Sequence, residues 1–267
     1  MCKCANGRIL LLRCYAINVQ IGAERLSCTK ATICTFAHSH ICTFSPFYTF
    51  SHLHINKAFS HLHIPTFPSM ERHPLQPFLP PNAHILMLGS FPPPRKRWSI
   101  DFFYPNMQND MWRIFGLIYF NDKDHFIDVP NKRFDKPKLK AFLTMRGIAL
   151  YDTACAVNRL QDNASDKFLE VVEHTDIDHL LRQLPQCHAI VTTGQKATDT
   201  LRAHFSVAEP KVGEYTTFNF EGRPMRLYRM PSSSRAYPLN ILKKAAVYQQ
   251  MLQQEQLLEA RKRVKIR

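Results

Sequence analysis

The sequence lacks the features by which several protein classes are usually identified. No stretch reaches about 18 uninterrupted apolar residues, which argues against a transmembrane helix. The Gly-x-x-x-x-Gly-Lys-Ser/Thr phosphate loop, the Gly-x-Ser-x-Gly turn and the His-Glu-x-x-His zinc motif are all missing. With 45% hydrophobic and 21% charged residues among 267, the composition also excludes global disorder and a coiled coil.

Acidic residues are scarce, and they are unevenly distributed. Lys and Arg number 35 against 21 Asp and Glu, a formal charge of +14, which favours an anionic partner such as nucleic acid. Residues 1–69 contain one acid, Glu24, and six of the eight cysteines. Residues 70–267 keep only Cys155 and Cys187, which is typical of a reducing compartment, so we expect a cytoplasmic protein.

The first 69 residues carry a near-tandem repeat in which His alternates with Leu and Ile. The unit Ser51–Phe59 begins Ser-His-Leu-His-Ile, and the same five residues recur from Ser60. Cys and His suit zinc, and the alternation also suits a short β segment. The spacing matches no two-by-two ligand set, and a well-patterned domain follows Met70. We therefore expect 1–69 to be an extension that is disordered or not part of the functional protein, and 70–267 to be the functional domain with a basic tail.

Short apolar runs alternate with helical patterns beyond residue 84. Strands are predicted at 84–91, 147–152, 189–193 and 225–230, and helices at 111–120, 136–145, 176–184, 195–204 and from Asn240. On the last helix, the predicted apolar face comprises Ile241, Leu242, Ala245, Tyr248, Met251 and Leu252. The pattern predicts an α/β protein of three α/β/α layers around a mainly parallel four-stranded sheet. Ligands bind such sheets beyond the carboxyl ends of the strands, which directs attention to the loops from Gly89, Asp152, Gly194 and Pro231.

The first of these loops combines a glycine with basic and aromatic residues. Gly89 allows close approach to a ligand, and Tyr104 offers a face on which a base could stack. Phosphate contacts are predicted for Arg95, Lys96 and Arg97. Taken alone, the segment is equally typical of a solvated basic loop followed by core aromatics.

Three segments in order resemble one enzyme family. They are Gly-Ser-Phe-Pro from Gly89 with Tyr-Pro-Asn-Met-Gln-Asn-Asp-Met-Trp from Tyr104, the strand ending at Asp152, and Pro-Ser-Ser-Ser-Arg from Pro231. Over residues 70–255 the chain resembles the uracil-DNA glycosylase superfamily, especially its mismatch-specific and hypoxanthine-DNA branches. The resemblance implies a monofunctional DNA glycosylase that removes uracil or hypoxanthine from DNA, without cofactor or metal. It also implies a monomer whose partner is damaged DNA, with no membrane association.

The resemblance also implies roles for individual residues. Asn109 would position the attacking water, and Tyr104 would stack on the extruded base. The remaining base contacts would come from Gly89, Ser90, Phe91 and Asp152. Strand contacts would come from Ser232, Ser233, Ser234 and Arg235.

Three positions depart from the family pattern. Phe91 stands where many members carry a water-positioning Asp or Asn, Asp152 stands where uracil-specific members carry Asn, and Met230 stands where a His is common. Purely structural roles stay open for these residues. Asn109 could cap a helix, Asp152 could cap a loop, and the serines could form an ordinary connector.

The alternative function is a catalytically inactive nucleic-acid-binding module on the same fold. A third interpretation is a metal-binding protein centred on the amino-terminal Cys/His stretch. The four-cysteine cluster of some branches is missing, so no iron–sulfur cluster is expected.

Overall fold

The computed structural model describes residues 70–160 and 168–258. The amino-terminal Cys/His repeat and the basic tail from Arg261 lie outside the described residues. The helices are α1 Met111–Phe120, α2 Lys136–Arg146, α3 Ile177–Arg182, α4 Gln195–Phe205 and α5 Ile241–Gln254. The strands are β1 Met70–Arg72, β2 Ile85–Gly89, β3 Ile127–Asp128, β4 Arg133–Phe134, β5 Ile148–Asp152, β6 Ala154–Arg159, β7 Leu169–His174, β8 Ala189–Thr193, β9 Tyr215–Phe220 and β10 Arg223–Met230.

The largest sheet has five strands in the order β5-β2-β8-β10-β9. The first four are mutually parallel and correspond to the four predicted strands, while β9 pairs antiparallel with β10. The predicted four-stranded sheet was therefore one strand short. The hairpin partner β9 was missed because its residues alternate between half-buried and exposed and form no apolar run.

Both faces of the central sheet are covered. Every residue of β2, β5 and β8 is buried, and successive side chains of a strand point to opposite faces. Helix α2 packs against β5, α4 against β8, and α1 against α5. The core is dominated by aliphatic residues of these strands together with Trp112, Phe115 and Tyr248 from the helices.

Helix boundaries follow their sequence signals. The Asp135 side chain accepts a hydrogen bond from the Lys138 N–H at the start of α2, and the helix ends at Gly147 with φ 66°. Asp176 and Asn240 cap α3 and α5 in the same way. On α5, Leu242 is 64% exposed, so its predicted place on the apolar face was wrong.

A second, antiparallel sheet of order β1-β6-β7 was not predicted from the sequence. Its middle strand, β6, follows β5 almost directly, since only Thr153 separates the two strands. Its buried side packs as a small separate cluster of Phe91, Ala154, Val157 and Leu169. This sheet brings the residues after β1 next to the end of β5.

Candidate functional site

A cavity of about 560 Å³ opens at the carboxyl ends of the parallel strands. The final residues of three strands line it, namely Gly89 of β2, Asp152 of β5 and Thr193 of β8. Its other walls come from the loop before α1 and the loop after β10. The further lining residues are Ser90, Phe91, Pro93, Arg97, Phe103, Tyr104, Pro105, Asn106, Gln108, Asn109, Ser232, Ser233, Ser234, Ala236 and Tyr237.

Asp152 presents a carboxylate to this cavity and is 7% exposed. Its Oδ2 lies 2.9 Å from Nε2 of His73, a residue that directly follows β1. The two side chains are 10% and 2% exposed, so the contact is shielded from solvent. Asp152 therefore contacts a histidine that sequence analysis did not single out.

Gly89 gives the Asp152 carboxylate room. The two residues are register partners on β2 and β5, and a Cβ added at Gly89 would lie 2.4 Å from Asp152 Oδ1. Real Cβ atoms essentially never approach so closely. The glycine predicted to allow close approach to a ligand thus allows close approach of a site carboxylate.

Tyr104 is held rigidly in the cavity wall. Its φ of 46° is unusual for a bulky residue, and such strain is common at functional sites. Its hydroxyl shares a 3.0 Å hydrogen bond with Thr193 Oγ1, and its ring packs edge-on against Trp112. Burial, and then the charge of Asp152, raises the pKa of Tyr104, so the phenol stays neutral.

Asn109 lines the cavity immediately before α1. Its side-chain Oδ1 accepts a 2.9 Å hydrogen bond from the Met111 N–H, which is the capping contact anticipated as the alternative. An amide oxygen has two lone pairs, so this contact leaves one acceptor position for a water molecule. The geometry is compatible with both roles at once.

A buried ion cluster fixes the loop after β10 to the start of α1. Asp110 accepts from Arg235 Nε at 2.9 Å and from Lys244 Nζ at 3.4 Å, and Lys244 is completely buried on α5. Lys244 also donates to the Ser234 carbonyl at 2.7 Å. Arg235, predicted to contact the DNA strand, does not line the cavity, and its half-exposed side chain is part of this cluster.

The serine loop is shaped mainly by its backbone. The Ser233 carbonyl accepts from the Asp110 N–H, and Ser233 is only 2% exposed. The hydroxyls of Ser232 and Ser234 accept from the backbone N–H groups two residues further on, which is typical of a serine turn. These contacts match the connector alternative, although all three serines line the cavity.

The three basic residues of the first loop are exposed on a single 3₁₀ turn, Arg95–Arg97. Only Arg97 lines the cavity. Arg95 donates to Asp101 at 2.6 Å and lies over the Trp98 ring. Of the three predicted phosphate contacts, Arg97 is thus nearest to the cavity.

Phe91 lines the cavity, but most of its side chain packs against apolar neighbours. It is 9% exposed, and its neighbours Ala154, Val157 and Leu169 belong to the small sheet. The adjacent Ser90 carbonyl accepts from the Ala154 N–H, so the end of β2 is fastened to the same sheet. Phe91 supplies an apolar wall and no polar atom.

The structure brings ten of the predicted site residues to one cavity, and Arg95, Lys96 and Arg235 lie outside its lining. Sequence analysis missed His73, Thr193 and Lys244. None of these carries a motif signal, because each acts through a partner that is distant in the sequence.

The described part of the chain holds no cluster of metal ligands and no helix that could span a membrane. Within 70–160 and 168–258, no group of three or more His, Cys, Asp or Glu side chains is arranged to hold a metal ion. None of the helices in these ranges is long and apolar enough to cross a bilayer. Cys155 and Cys187 are free thiols, and burial raises the pKa of Cys187 to about 12.

The similarity of the chain to known proteins is found among solved structures. No protein-family model matches the chain, and no curated protein matches it. Among solved structures, the chain is similar to an NMR structure from Methanosarcina acetivorans described as "a putative Uracil DNA glycosylase". The two are 23% identical with a TM-score of 0.46, over 68% of this chain and 99% of the other. A similarity at this level transfers no residue's role to this chain.

Proposed function

We propose that the chain is a monofunctional DNA glycosylase that hydrolyses the N-glycosidic bond of a deaminated base. The observation that carries the proposal is the single cavity in which Tyr104, Asn109 and Asp152 meet beside a basic turn. Its volume lies in the range of small-ligand sites, and enzymes that act on a base take it out of the stack into such a pocket.

The base would be recognised by its face and by its edge. The immobilised ring of Tyr104 offers a stacking surface. An ionised Asp152 can only accept hydrogen bonds, so it favours a base that presents an N–H. Uracil, hypoxanthine and xanthine each carry a ring N–H where the parent base carries a lone pair, which makes deaminated bases the substrate class.

Hydrolysis would use one water molecule. Asn109 Oδ1 would accept a hydrogen bond from this water with the lone pair that the Met111 N–H leaves. The bond from the sugar carbon to the base breaks with its electron pair leaving on the base, and the water oxygen bonds to that carbon. The water loses one proton to solvent, and the base anion takes up one proton from solvent. Amides are poor bases, so the sugar must develop cationic character before water attacks.

Lyase chemistry is not proposed. It would need an amine in the pocket, and among the described residues no lysine lines the cavity. The amine of Lys244 is held by Asp110 and Ser234. The expected product is an intact strand with an abasic site.

A pair of Asn109 variants separates catalysis from capping. Asn109→Ala removes the amide and the cap, whereas Asn109→Ser keeps a capping oxygen but loses the reach of the amide. Duplexes bearing uracil, hypoxanthine or xanthine are scored for alkali-labile sites with the full chain. We expect both variants to lose base release and keep DNA affinity, while only Asn109→Ala loses about 1 kcal/mol of stability. Full activity in Asn109→Ser would remove Asn109 from the mechanism.

A binding module without catalysis is the second candidate. It is favoured by two observations, the packing of Phe91 and the engagement of Asn109 Oδ1 at the helix start. Its signature is salt-dependent binding to duplex DNA with no base released from any duplex of the panel.

A further inference from the structure

His73 is a buried histidine that the proposed reaction does not yet use. Its side chain is 2% exposed, and its Nε2 lies 2.9 Å from the Asp152 oxygen Oδ2. A histidine buried against the only carboxylate that lines the described cavity is well placed to govern the charge of that carboxylate.

The other ring nitrogen of His73 has two alternative partners. Nδ1 lies 2.9 Å from the Leu75 carbonyl oxygen and 3.2 Å from the Leu75 backbone nitrogen. A protonated Nδ1 can donate to the carbonyl, and an unprotonated Nδ1 can accept from the N–H. The ring can therefore form hydrogen bonds at both nitrogens as an imidazolium and also as a neutral imidazole, with Nε2–H donating to an ionised Asp152 in both forms.

The His73 ring is enclosed mainly by aromatic rings. Rings of Phe91, Phe103 and Tyr151 surround the imidazole at centroid distances of 5.4, 6.3 and 4.7 Å. Burial raises the pKa of Tyr151, as it does that of Tyr104, so both phenols stay neutral. Further titratable groups on this side, Cys155 and Glu173, carry no positive charge.

The proposed reaction creates an electrostatic problem at Asp152. Negative charge develops on the departing base, and a bare carboxylate at its edge would repel that charge in a partly desolvated pocket. The strand before the serine loop ends in Met230, which offers no donor to an anion. A positive charge directly behind Asp152 removes the repulsion without losing the hydrogen-bond acceptor.

We propose that His73 acts as an imidazolium behind Asp152, so that the base departs from a net-neutral pair rather than from a carboxylate anion. This inference rests on the glycosylase function proposed above. His73 is a positioning residue, since it acts on the substrate through Asp152. The pair would accept a hydrogen bond from the base N–H and would not repel the base anion, and an isolated carboxylate cannot do both.

The test compares leaving groups of different quality. Duplexes with uracil and 5-fluorouracil are cleaved under single-turnover conditions, because fluorine stabilises the base anion and lowers the need for help from the enzyme. If the wild-type chain prefers a purine, hypoxanthine and 8-azahypoxanthine replace them. His73→Gln retains a donor for Asp152 but carries no charge. His188→Gln is the matched control, since His188 contacts the carboxylate of Glu255 at 2.8 Å, with Glu255 beyond α5 and outside the cavity lining.

We expect His73→Gln to slow release of uracil by about 10²-fold, the lower end for one positioned acid–base group, and that of 5-fluorouracil by less than about 10-fold. Equal losses on the two bases would overturn the inference and leave the glycosylase intact. If wild-type protein releases no base, the proposed function fails and the inference fails with it. His188→Gln should leave both rates unchanged.

A measurement on wild-type protein covers the case in which His73→Gln does not fold. Nitrogen NMR of the His73 ring, assigned through its contacts with Phe91 and Tyr151, reports the protonation of each nitrogen directly. Two protonated nitrogens at the pH of the activity assay would support the inference. One unprotonated ring nitrogen would overturn it.

Discussion

The closest fit in the site is between Gly89 and Asp152, and Gly89→Ala perturbs it directly. The added methyl carbon would lie 2.4 Å from Asp152 Oδ1. The backbone of Gly89 is not in the left-handed region, so alanine costs no backbone strain there. Any destabilisation by the substitution must therefore come from the contact with the carboxylate.

The size of the effect can be worked out from two distances. Ordinary contact begins near 3.4 Å, so the carboxylate must retreat by about 1 Å. We expect this movement to break the 2.9 Å hydrogen bond between the carboxylate and His73. A hydrogen bond to a charged group contributes about 1.5–3 kcal/mol, so we expect a loss of about 2 kcal/mol, or about 4–8 °C in Tm. Base release should fall about 10²-fold, as expected for a group misplaced by 1 Å.

A double-mutant cycle identifies the source of this loss. Urea unfolding is measured for wild type, Gly89→Ala, Asp152→Ala and the double variant. Shortening residue 152 removes the clash, so Gly89→Ala should cost less than about 0.5 kcal/mol in the Asp152→Ala background. An equal cost in both backgrounds would refute the close approach of the carboxylate to Gly89.

Three further predictions concern the surroundings of the site and the opposite edge of the sheet. Lys244→Met leaves the buried Asp110 with Arg235 alone, so we expect a loss of about 3 kcal/mol in urea unfolding, the lower end for a broken buried pair. Adding Asp110→Asn should recover part of that loss, and strict additivity would contradict the pairing. His188 donates a hydrogen bond to the buried Glu255, and this bond raises the pKa of His188 above 6.5. Burial alone would raise the pKa of Glu255, but hydrogen bonds from His188, Tyr228 and Arg226 outweigh it and hold this pKa below 4.5. The stabilisation by this pair is complete between about pH 4.5 and 6.5, and it declines as the pH rises through the raised pKa of His188. Thermal unfolding of wild type and His188→Gln should therefore differ most in that window. The difference should be no more than about 1 kcal/mol, because the imidazole is 41% exposed. Arg97→Ala should weaken DNA binding and reduce by about one the slope of log affinity against log salt concentration. Arg95→Ala should have a smaller effect, because Asp101 already binds that guanidinium. Equal effects of the two variants would argue against Arg97 as the closer phosphate contact.

The central strands could be predicted because they are buried on both faces. Such strands appear in the sequence as uninterrupted apolar runs, as in the segment from Ile85 to Leu88 and in β8. Strands that are not buried on both faces have no such signal. Strand β9 alternates half-buried and exposed residues, β1 and β7 are mostly exposed, and β6 mixes buried with half-buried residues, so these elements were not predicted.

The cavity could be predicted in part for a similar reason. Parallel strands end at one edge, so Gly89 and Asp152 had to lie close together once their strands were recognised. His73 and Lys244 could not be found this way. Their contacts with Asp152 and Asp110 span 79 and 134 residues, and a single histidine or lysine leaves no periodic pattern.

The unusual residue at position 91 is explained by the small sheet. The Phe91 ring fills the space under Ala154, Val157 and Leu169 and meets the His73 ring edge-on at 5.4 Å. A carboxylate at this position would replace that apolar packing by a largely buried charge, which is costly. The same sheet carries His73 to Asp152 on the neighbouring strand, where a carboxylate can be paired. The sheet that packs against Phe91 thus also places His73 against the carboxylate at the end of β5.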